Sequence, residues 1–566
     1  MSHTGIAVFL DMLAEFGVRH VFGNPGTTEL PLSDALVGDE RFRYILGLQE
    51  VPVMAMADGY AMASGSLGVV NVHIACGLGN AMGMLYNAYR EGTPLLITAG
   101  QQDRRLKFEE PILGADLAAV ARPWTKWSAE VERVEDLPAA LRRGVQAALT
   151  PPTGPVFLAL PLDVQMESSD RLDLAPICLP DRRVRPPVGA IRRAAELLLD
   201  AENPAILAGS RVTESGAVQE LVAVAERLGA PVYCESGTTH GRLPFPCTHP
   251  LSGPGLPLWS PEVRERLKEF DVVLVAGMDL LRQYLYHEPS RAIPEHVKLV
   301  QIDEDPWQLG KNYQVEVGVI GDSRSSLAEL AELLAATATR EQSQRASRRA
   351  ARWSEQHAAA REALKQRITQ QRDSRPMTPL AMMGAMAEAM SPSTAVVEEA
   401  VTTTNTTLER LGAIGEPSGY FGHRGWALGW GLGVAVGVKL AWPDRPVLAI
   451  LGDGAAMYGI QGLWSAAHHR IPVTFVIANN AQYEILKVGA RGLQLPRAGE
   501  SRFLGMDLVD PEIDFVALAQ SLGVDACRIA EPDELTRRVA ESLRSDRPLL
   551  IDVPIQRQLP DRLQYG

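Results

Sequence analysis

The hydrophobic and polar positions of the chain alternate between two patterns. Segments with apolar residues at helical spacing are separated by short apolar runs typical of buried strands. These runs fall in three groups, at 42–48, 67–73, 94–99 and 156–160, then at 205–208, 232–234, 272–276, 299–302 and 317–320, and finally at 394–398, 446–451 and 473–478. Strands that alternate with helices in this way predict parallel sheets covered by helices on both faces.

Changes in composition divide the alternation into three α/β domains. Proline and arginine cluster at 179–187, which predicts a linker. A stretch from 335 to 375 is rich in Ala, Arg, Glu and Gln and has scarcely any strand-forming residue, which predicts a solvated helical connector. We therefore expect three doubly wound domains with mostly parallel sheets. Their predicted bounds are 1–182, 188–335 and 376–566, with a helical linker at 336–375.

Composition and charge exclude several classes of function. The 566 residues are 46% hydrophobic and 22% charged, as in ordinary globular proteins. A net charge of −13 without a sustained basic face argues against nucleic acid as a partner. No apolar run reaches the roughly 20 residues that span a bilayer, and the first residues lack the order of a signal peptide. Five scattered cysteines without a CxxC motif suit a reducing compartment, so we expect a cytoplasmic protein.

Polar residues end two consecutive predicted strands of the third domain. Gly452-Asp453-Gly454 follows the first strand, and Asn479-Asn480 follows the second after 24 intervening residues. In an open α/β sheet, ligands bind at the carboxyl ends of the strands. An Asp carboxylate, an Asn amide and backbone carbonyls suit Mg²⁺ or Ca²⁺, which usually also takes oxygens from a phosphorylated ligand. The pattern therefore predicts a metal–diphosphate site.

Three motifs together resemble thiamine-diphosphate-dependent enzymes of the pyruvate decarboxylase and acetolactate synthase type. The GDG and NN pair, with its spacing, is similar to the diphosphate motif of that superfamily. Segments 22–31 and 44–50 resemble its pyrimidine-binding domain, and segments 71–73 and 98–102 resemble the benzoylformate decarboxylases within it. The resemblance covers essentially the whole chain in the same domain order. It implies thiamine diphosphate and Mg²⁺ as cofactors.

The resemblance also implies which residues hold these cofactors. Glu50 matches the glutamate that promotes the imino tautomer of the aminopyrimidine ring, and Leu428 matches the apolar residue that bends the cofactor. The implied metal ligands are Asp453, Asn480 and the backbone carbonyl of Gln482. The full implied cofactor-binding set is Glu50, Thr402, Trp426, Leu428, Gly452, Asp453, Gly454, Ala455, Asn480, Gln482, Tyr483 and Ile485. From the residues alone, Leu428 could equally be a core residue and Thr402 an ordinary turn residue.

For catalysis, the resemblance points to residues of the first and second domains. His73 matches a proton-shuttling histidine, and Thr27 stands where the relatives bind the substrate carboxylate with a serine. A second catalytic histidine falls on Tyr284, and His287 could replace it if the loop is shifted. Without the resemblance, His73 could be a buried structural residue. The implied activity is decarboxylation of a benzoylformate-like 2-keto acid to an aldehyde through a C2 carbanion and an enamine.

The sequence departs from the benzoylformate decarboxylases around the substrate. Gly422 and Gly489 replace the expected aromatic pair, and Ile485 replaces a small residue. Basic residues are added to segments that we expect near the entrance, at Arg424, Lys487, Arg491, Arg497 and Arg502. Arginine is a natural partner for phosphate. These changes leave open a lyase or carboligase acting on acyloins, cleavage of a 2-hydroxyacyl-CoA to formyl-CoA, an acetolactate-type synthase with a flavin, and a non-catalytic binding protein.

An assembly is also implied by the resemblance. In the superfamily, the pyrimidine domain of one subunit faces the diphosphate domain of another, so Glu50 and Asp453 of one site come from different chains. We therefore expect a homodimer of active sites assembled as a homotetramer, with a small 2-keto acid or acyl compound as substrate. The tail from 556 to 566 is a candidate lid.

Overall fold

The structure is a computed structural model that describes residues 3–560, apart from 176–178, 180, 182, 236–240, 258 and 283–285. Within these residues, three parallel sheets follow one another along the chain, each covered by helices. The predicted fold class, three doubly wound α/β domains with mostly parallel sheets, is confirmed.

The N-terminal domain is built around a parallel sheet of six described strands. Its strands are β1 (His3–Thr4), β2 (His20–Gly23), β3 (Arg43–Leu46), β4 (Gly68–Val72), β5 (Leu95–Gln101), β6 (Trp127–Glu130), β7 (Val156–Pro161) and β8 (Ser168–Ser169). Its helices are α1 (Gly5–Glu15), α2 (Leu30–Ala35), α3 (Glu50–Ser64), α4 (Ile74–Glu91), α5 (Leu117–Ala121), α6 (Leu137–Leu149) and α7 (Leu162–Met166). The sheet has the order β3-β2-β4-β5-β7-β6, and β1 pairs with β8 in a separate antiparallel ribbon.

The central domain has a parallel sheet of five described strands. They are β9 (Pro204–Ala208), β10 (Val232–Cys234), β11 (Val272–Ala276), β12 (Lys298–Asp303) and β13 (Val317–Ile320), in the order β10-β9-β11-β12-β13. The helices are α8 (Val188–Asp200), α9 (Ser210–Glu214), α10 (Val218–Leu228), α11 (Ser260–Leu267) and α12 (Ser323–Thr337). The 32-residue helix α13 (Arg340–Gln371) follows, inside the stretch predicted as a helical connector.

The C-terminal domain repeats the architecture of the first. Its strands are β14 (Ala395–Glu399), β15 (Tyr420–Phe421), β16 (Val447–Gly452), β17 (Thr474–Asn479), β18 (Asp525–Arg528) and β19 (Leu549–Pro554), in the order β15-β14-β16-β17-β19-β18. Its helices are α14 (Pro379–Ala389), α15 (Val401–Thr404), α16 (Thr407–Leu411), α17 (Trp430–Ala441), α18 (Asp453–Gly459), α19 (Gly462–His468), α20 (Glu484–Gly492), α21 (Pro496–Gly499), α22 (Phe515–Ser521) and α23 (Pro532–Ser542). Strands β16 and β17 are parallel, as predicted, but two short helices rather than one connect them.

Helices α3 and α17 join the N-terminal and C-terminal domains through direct backbone contact. Glycines make this approach possible, because a Cβ built on Gly437 would lie 1.9 Å from the carbonyl oxygen of Met56. A Cβ on Gly59 would lie 2.3 Å from the carbonyl oxygen of Val434. Such contacts leave no room for a side chain. The two helices therefore act as one rigid unit across the domain boundary.

A buried ion network closes the junction of the three domains. The guanidinium of Arg424 lies 3.3 Å from Glu91 of the N-terminal domain and 3.2 Å from Glu214 of the central domain. Burial raises the pKa of Glu91 to about 7, and the Arg424 charge opposes that rise. Arg424 had been expected near the substrate entrance. That expectation is wrong, because the side chain is 2% exposed inside the junction.

No helix within the described ranges is long and apolar enough to cross a membrane.

Replacing Gly437 with alanine tests the α3–α17 contact. The added Cβ overlaps the backbone of Met56, so the helices must move apart, and overpacking of this kind costs about 1–3 kcal/mol. We expect a lower midpoint of thermal unfolding, measured by circular dichroism. The matched control is Gly189→Ala in α8, where the nearest atom to an added Cβ is an arginine tip 3.7 Å away. Equal midpoints for both variants would contradict the close contact.

Candidate active site

The two halves of the candidate site lie where the strand order of each outer sheet reverses. In the N-terminal sheet this point is between β2 and β4, and in the C-terminal sheet it is between β14 and β16. Crevices at such points are the usual ligand sites of open α/β sheets. Glu50, His73 and Thr27 follow strands of the first sheet, and Thr402 and Asp453 follow strands of the second.

Glu50 begins helix α3 and is buried. The side-chain amide of Asn24 donates to its Oε1 at 3.3 Å, and that of Asn80 donates to its Oε2 at 3.0 Å. Gly77 lies against the same carboxylate, since a Cβ there would be 3.1 Å from Oε1. The two neutral amide donors therefore hold the buried carboxylate in one position.

His73 lies at the N-terminus of α4, and Glu29 orients its ring. The Nδ1 atom of His73 is 2.8 Å from Oε2 of Glu29, and Thr28 approaches the same nitrogen at 3.4 Å. The other oxygen of Glu29 accepts from the backbone N–H of Gly100 at 2.7 Å, which fixes the carboxylate. A carboxylate acceptor places the ring proton on Nδ1, so Nε2 is the nitrogen that can exchange a proton. We did not predict Glu29, whose partners lie 44 and 71 residues away in sequence.

Thr27 opens the short helical turn 27–29 and is exposed on this chain. Its neighbour Gly26 lies against the histidine, since a Cβ there would be 1.9 Å from Nδ1 of His73. The loop after β2 therefore passes directly over the His73 ring. Thr27, His73 and Glu50 all belong to this one edge of the N-terminal sheet.

In the other half of the site, Asp453 begins helix α18, and only one of its two carboxylate oxygens accepts a hydrogen bond among the described residues. Its Oδ1 accepts from the N–H of Gly454 at 2.7 Å, whereas the buried Oδ2 has no hydrogen-bond partner among the described residues. Burial raises the pKa of Asp453 to about 6, and backbone N–H groups nearby oppose that rise. An orphaned buried carboxylate oxygen is costly unless a ligand completes it.

Asn480 and Gln482 form a tight turn after β17. The Oδ1 atom of Asn480 accepts from the N–H of Gln482 at 3.2 Å, and Ala481 between them has a left-handed φ of 49°. A non-glycine residue in this region is strained and often marks a functional site. Glu484, which we did not predict, accepts from the amide of Asn480 at 2.9 Å and so fixes its orientation. The two residues are four positions apart in the sequence, with the turn after β17 between them.

These residues fit a divalent cation that also binds phosphate. They offer one carboxylate, one amide oxygen and a backbone carbonyl, and no cluster of three acidic or thiol or imidazole ligands occurs in the described part of the chain. Mg²⁺ is usually held by one or two carboxylates together with substrate phosphates rather than by a full protein cage. The unpartnered oxygen of Asp453 agrees with that arrangement.

The chain around Asp453 is closely packed, and small residues make this packing possible. A Cβ on Gly454 would lie 2.5 Å from the ring of Tyr483, so only glycine fits between them. Gly452 ends β16, and Ala455 lies in the first turn of α18. Four members of the predicted cofactor-binding set, Gly452, Gly454, Ala455 and Tyr483, therefore surround one carboxylate.

Thr402 lies in the short helix α15 after β14, and the turn behind it is strained. Asn405 and Thr406 have consecutive left-handed φ values of 41° and 52°. The Oδ1 of Asn405 and the hydroxyl oxygen of Thr406 are buried without a partner among the described residues. Thr402 and Thr403 line a cleft of about 200 Å³ that also contacts Glu484. The Thr402 turn and Glu484, the partner of Asn480, therefore line the same cleft.

The loop before α17 carries the predicted residues Trp426 and Leu428, both half-buried. Trp426 has a left-handed φ of 65°. Glu399 holds the end of this loop, because its carboxylate accepts from the N–H groups of Gly429 and Trp430, each at 3.0 Å. Burial raises the pKa of Glu399 to about 7, against the effect of these donors. Leu428 precedes this fixed point directly.

Of the two candidates for the second histidine, Tyr284 lies outside the described residues. His287 is described, and its ring meets that of Trp259 edge-on at a centroid distance of 4.9 Å. The hydroxyl of Ser260 donates to the carbonyl of Pro289 at 2.8 Å, which ties the His287 loop to α11. Trp259 and Val488 pack together with Trp426 and Ile485, so His287 lies beside the predicted cofactor residues.

The remaining basic residues that we expected at the entrance have partners of their own. Lys487 is buried and lies 2.7 Å from Asp507, and Arg491 donates to the carbonyl of Leu559 at 2.8 Å. Arg497 and Arg502 both pair with Glu500, at 3.0 and 3.5 Å. Arg424 is likewise paired, at the domain junction. These five basic residues therefore do not form a phosphate-binding cluster in the described part of the chain.

The described part of the C-terminal tail lies against α20. The side-chain amide of Gln482 donates to the carbonyl of Gln558 at 3.1 Å. Leu559 packs with the cluster of Trp259, Trp426, Ile485 and Val488. Residues 561–566, the end of the candidate lid, lie outside the described residues.

Three parallel α/β domains, with a buried glutamate in the first and an Asp–Asn pair in the third, define a thiamine-dependent class of enzyme. Family models match all three: the N-terminal thiamine pyrophosphate binding domain at 3–112, the central domain at 191–330 and the C-terminal binding domain at 400–553. The chain belongs to the thiamine pyrophosphate enzyme family, thiamine pyrophosphate being another name for thiamine diphosphate.

Individual relatives agree with this family over nearly the full length. A benzoylformate decarboxylase of Pseudomonas aeruginosa is 35% identical over 96% of this chain and 98% of its own. A probable acetolactate synthase large subunit of Methanocaldococcus jannaschii is 28% identical over 97% of this chain and 92% of its own. The crystal structure of a benzoylformate decarboxylase from Polynucleobacter necessarius superposes with a TM-score of 0.86 at 30% identity, covering 99% of each chain.

Buried carboxyls beneath the Thr402 turn predict a pH-dependent stability. The hydroxyl of Tyr420 donates to Glu398 at 2.7 Å. Burial raises the pKa of Glu398 to about 7 and that of Glu409 to about 8, and the Glu398 charge adds to the rise at Glu409. The folded state therefore holds protons that the unfolded state releases above about pH 4.3. This contribution to stability is complete below that pH and is lost as the pH rises through about 8.

Glu409→Gln tests this linkage, because glutamine cannot titrate. We expect the fall in thermal midpoint between about pH 6 and pH 8.5 to be smaller in the variant than in the parent protein. Differential scanning fluorimetry at several pH values measures it. Glu355→Gln, on the exposed face of α13, is the control and should keep the parental pH dependence. An unchanged pH dependence in Glu409→Gln would contradict the assignment.

Proposed function

We propose that this protein is a thiamine-diphosphate- and Mg²⁺-dependent carbon–carbon lyase that decarboxylates a 2-keto acid to an aldehyde. The observation that carries the proposal is a pair of buried carboxylates, each positioned to bind a ligand. Glu50 is buried between two amide donors, and Asp453 keeps a buried oxygen without a partner beside Asn480. The first suits an aminopyrimidine nitrogen and the second suits a metal bound to a diphosphate.

The protein's own groups would perform distinct parts of the reaction. Asp453, Asn480 and the carbonyl of Gln482 would hold the metal, and the Thr402 turn would bind phosphate oxygens. The carboxyl of Glu50 would hold the proton shared with the aminopyrimidine ring. Nε2 of His73, with Nδ1 fixed by Glu29, would move a proton to or from the substrate. When bound, thiamine diphosphate supplies the nucleophilic carbon and the electron sink.

Leu428 and Thr27 would position the cofactor and the substrate. Leu428 would contact the cofactor with its apolar side chain, and Thr27 would bind the substrate carboxylate through its hydroxyl. The rigid loop held by Glu399 keeps Leu428 in place. A low-dielectric site strengthens each of these polar contacts.

The similarity to benzoylformate decarboxylases over the full length supports decarboxylation over the alternatives. An acetolactate-type synthase is the second candidate, because a similar chain bears that name. A flavin in the central domain has little support, since Arg211 at the carboxyl end of that sheet is already paired with Asp279 at 2.9 Å and Asp303 at 2.8 Å. The paired basic residues near α20 likewise give little support to an acyl-CoA substrate.

We also propose that two chains complete each site. Glu50 is bonded to Asn24 and Asn80, and His73 to Glu29, all within the N-terminal domain. Asp453 and Asn480 are bonded only to residues of the C-terminal domain among the described residues. Large apolar side chains on the same domain as Glu50 are exposed: Leu30, Leu48, Phe108 and Ile112. Such a surface suits a subunit interface. A homodimer of active sites, assembled as a homotetramer, would cover it.

A substrate panel tests the reaction. Enzyme loaded with thiamine diphosphate and Mg²⁺ is given benzoylformate, pyruvate, longer 2-keto acids and a 2-hydroxyacyl-CoA. We expect CO₂ and the matching aldehyde from at least one 2-keto acid. Coupled assay and chromatography would detect these products. Formyl-CoA from the thioester, or acetolactate from pyruvate without free aldehyde, would replace the proposed reaction with an alternative.

The variant Glu50→Gln tests the role of the buried carboxyl. Glutamine keeps the size but cannot exchange the proton, so we expect kcat to fall by about 10²–10⁴. Calorimetry should still show thiamine diphosphate binding. Glu40→Gln, at an exposed position of the same domain, is the matched control. Near-parental kcat in Glu50→Gln would contradict the mechanism.

A further inference from the structure

A pocket of about 170 Å³ lies between the central domain and helix α20. It is lined by Trp259, Pro261, Glu262, His287, Glu288, Val488 and Gly492, and we call it the Trp259 pocket. For comparison, a dry apolar cavity of about 150 Å³ in another protein binds benzene. The Trp259 pocket therefore has room for one aromatic ring.

The Trp259 pocket continues from the predicted cofactor residues. Ile485, Val488 and Gly492 are spaced by three and seven residues on α20 and so share one face of the helix. Ile485 and Trp426 pack against the cluster that contains Trp259 and Val488. A substrate bound next to Ile485 can thus extend along this face into the pocket.

Small residues keep this face of the helix open. A Cβ built on Gly489 or on Gly492 would meet no atom within 4 Å. By contrast, Ile485 places a branched side chain at the start of the face. Branched side chains therefore occupy this face at Ile485 and Val488, whereas space is open at Gly489 and Gly492.

The chemistry of the walls favours a neutral, planar group. Trp259 and His287 meet edge-on, a geometry that leaves aromatic faces available for a third ring. Nε2 of His287 is buried and has no hydrogen-bond partner among the described residues, so it can bond a polar substituent. Glu262 and Glu288 at the rim disfavour an anionic group. The keto acid carboxylate must then point away from this pocket.

The distance along α20 sets the length of the substrate. Val488 and Gly492 lie about 4.5 and 10.5 Å beyond Ile485, at about 1.5 Å per residue. A ring attached directly to the keto carbon has its centre within roughly two bond lengths, about 3 Å, of that carbon. With the keto carbon placed beside Ile485, such a ring would fall short of Gly492 at the far end of the pocket. A ring carried on a short alkyl spacer would reach it.

We propose that the Trp259 pocket binds the side chain of the substrate and selects arylalkyl 2-keto acids, in which one or more methylenes separate the ring from the keto group. Trp259, His287 and Ile485 are then the residues that determine specificity. This inference rests on the proposed function for its reaction but not for its binding site.

The test compares kcat/KM for benzoylformate, phenylpyruvate, 4-phenyl-2-oxobutanoate and pyruvate. We expect a maximum at one of the two spaced substrates. Trp259→Ala removes a wall of the pocket and Gly492→Leu fills it without a backbone clash. Each should lower the ratio of kcat/KM for the preferred substrate to that for pyruvate at least tenfold. A hydrophobic pocket discriminates over about that range.

Two further variants make the result specific. Ile485→Ala should shift the preference toward benzoylformate, because it opens the space beside the reacting carbon. Trp307→Ala, at an exposed tryptophan of the same domain, is the matched control and should leave the ratio unchanged. A parental preference for benzoylformate, or an unchanged ratio in Trp259→Ala, would overturn the proposal.

Calorimetry with unreactive carboxylates separates this inference from the proposed function. The holoenzyme is titrated with 3-phenylpropanoate and with benzoate. We expect tighter binding of 3-phenylpropanoate, lost at least tenfold in Trp259→Ala. If no 2-keto acid is decarboxylated but this binding is found, the result supports the pocket and contradicts the proposed reaction. If 2-keto acids are decarboxylated but Trp259→Ala binds both carboxylates as the parent does, the result contradicts the pocket and leaves the proposed reaction intact.

Discussion

The glycine contact between α3 and α17 is the constraint on which the rest of the site depends. The two helices run in the same direction, because Val51 meets Gly429, Ala55 meets Gly433 and Tyr60 meets Gly437. Their N-termini therefore lie at the same end. One N-terminus carries Glu50 and the other follows Leu428. Backbones in direct contact resist sliding, because a shift brings a carbonyl group into contact. The fixed helix pair therefore sets where each residue points, and in the proposed two-chain assembly the Glu50 and the Leu428 of one chain serve different sites.

The proximity of Asp453 and Asn480 could be predicted from sequence because its signals are local. Asp453 follows a strand directly, Asn480 follows the next, and the parallel pairing of β16 with β17 brings them together. Residues that orient these groups were not predicted. Glu29 reaches His73 through the fold, and Glu399 reaches Gly429 across 30 residues. Carboxylates with distant partners resemble ordinary surface residues until the fold supplies those partners.

The substrate end could not be predicted, for two physical reasons. A basic residue near a site suggests an anion, but sequence does not show whether its charge is already paired. Here Arg424 meets Glu91, and Lys487 meets Asp507. The wall that faces α20 comes from Trp259 of the central domain, more than 200 residues earlier in the chain. No periodic pattern connects residues so far apart.

The two ends of the site are under different constraints. A metal–diphosphate site of the proposed kind would require particular atoms at fixed positions, so Asp453, Asn480 and Gly454 would tolerate little change. A hydrophobic side-chain pocket requires only volume and shape, and one methylene is worth about 1–3 kcal/mol there. Isoleucine at 485 fills space at the start of α20, whereas glycine at 489 and 492 leaves space open further along the helix. Neither change alters Asp453 or Asn480. Changes in side-chain size along α20 can therefore change the preferred substrate. The helix pair α3–α17 and the proposed cofactor residues stay the same, so the type of reaction is retained.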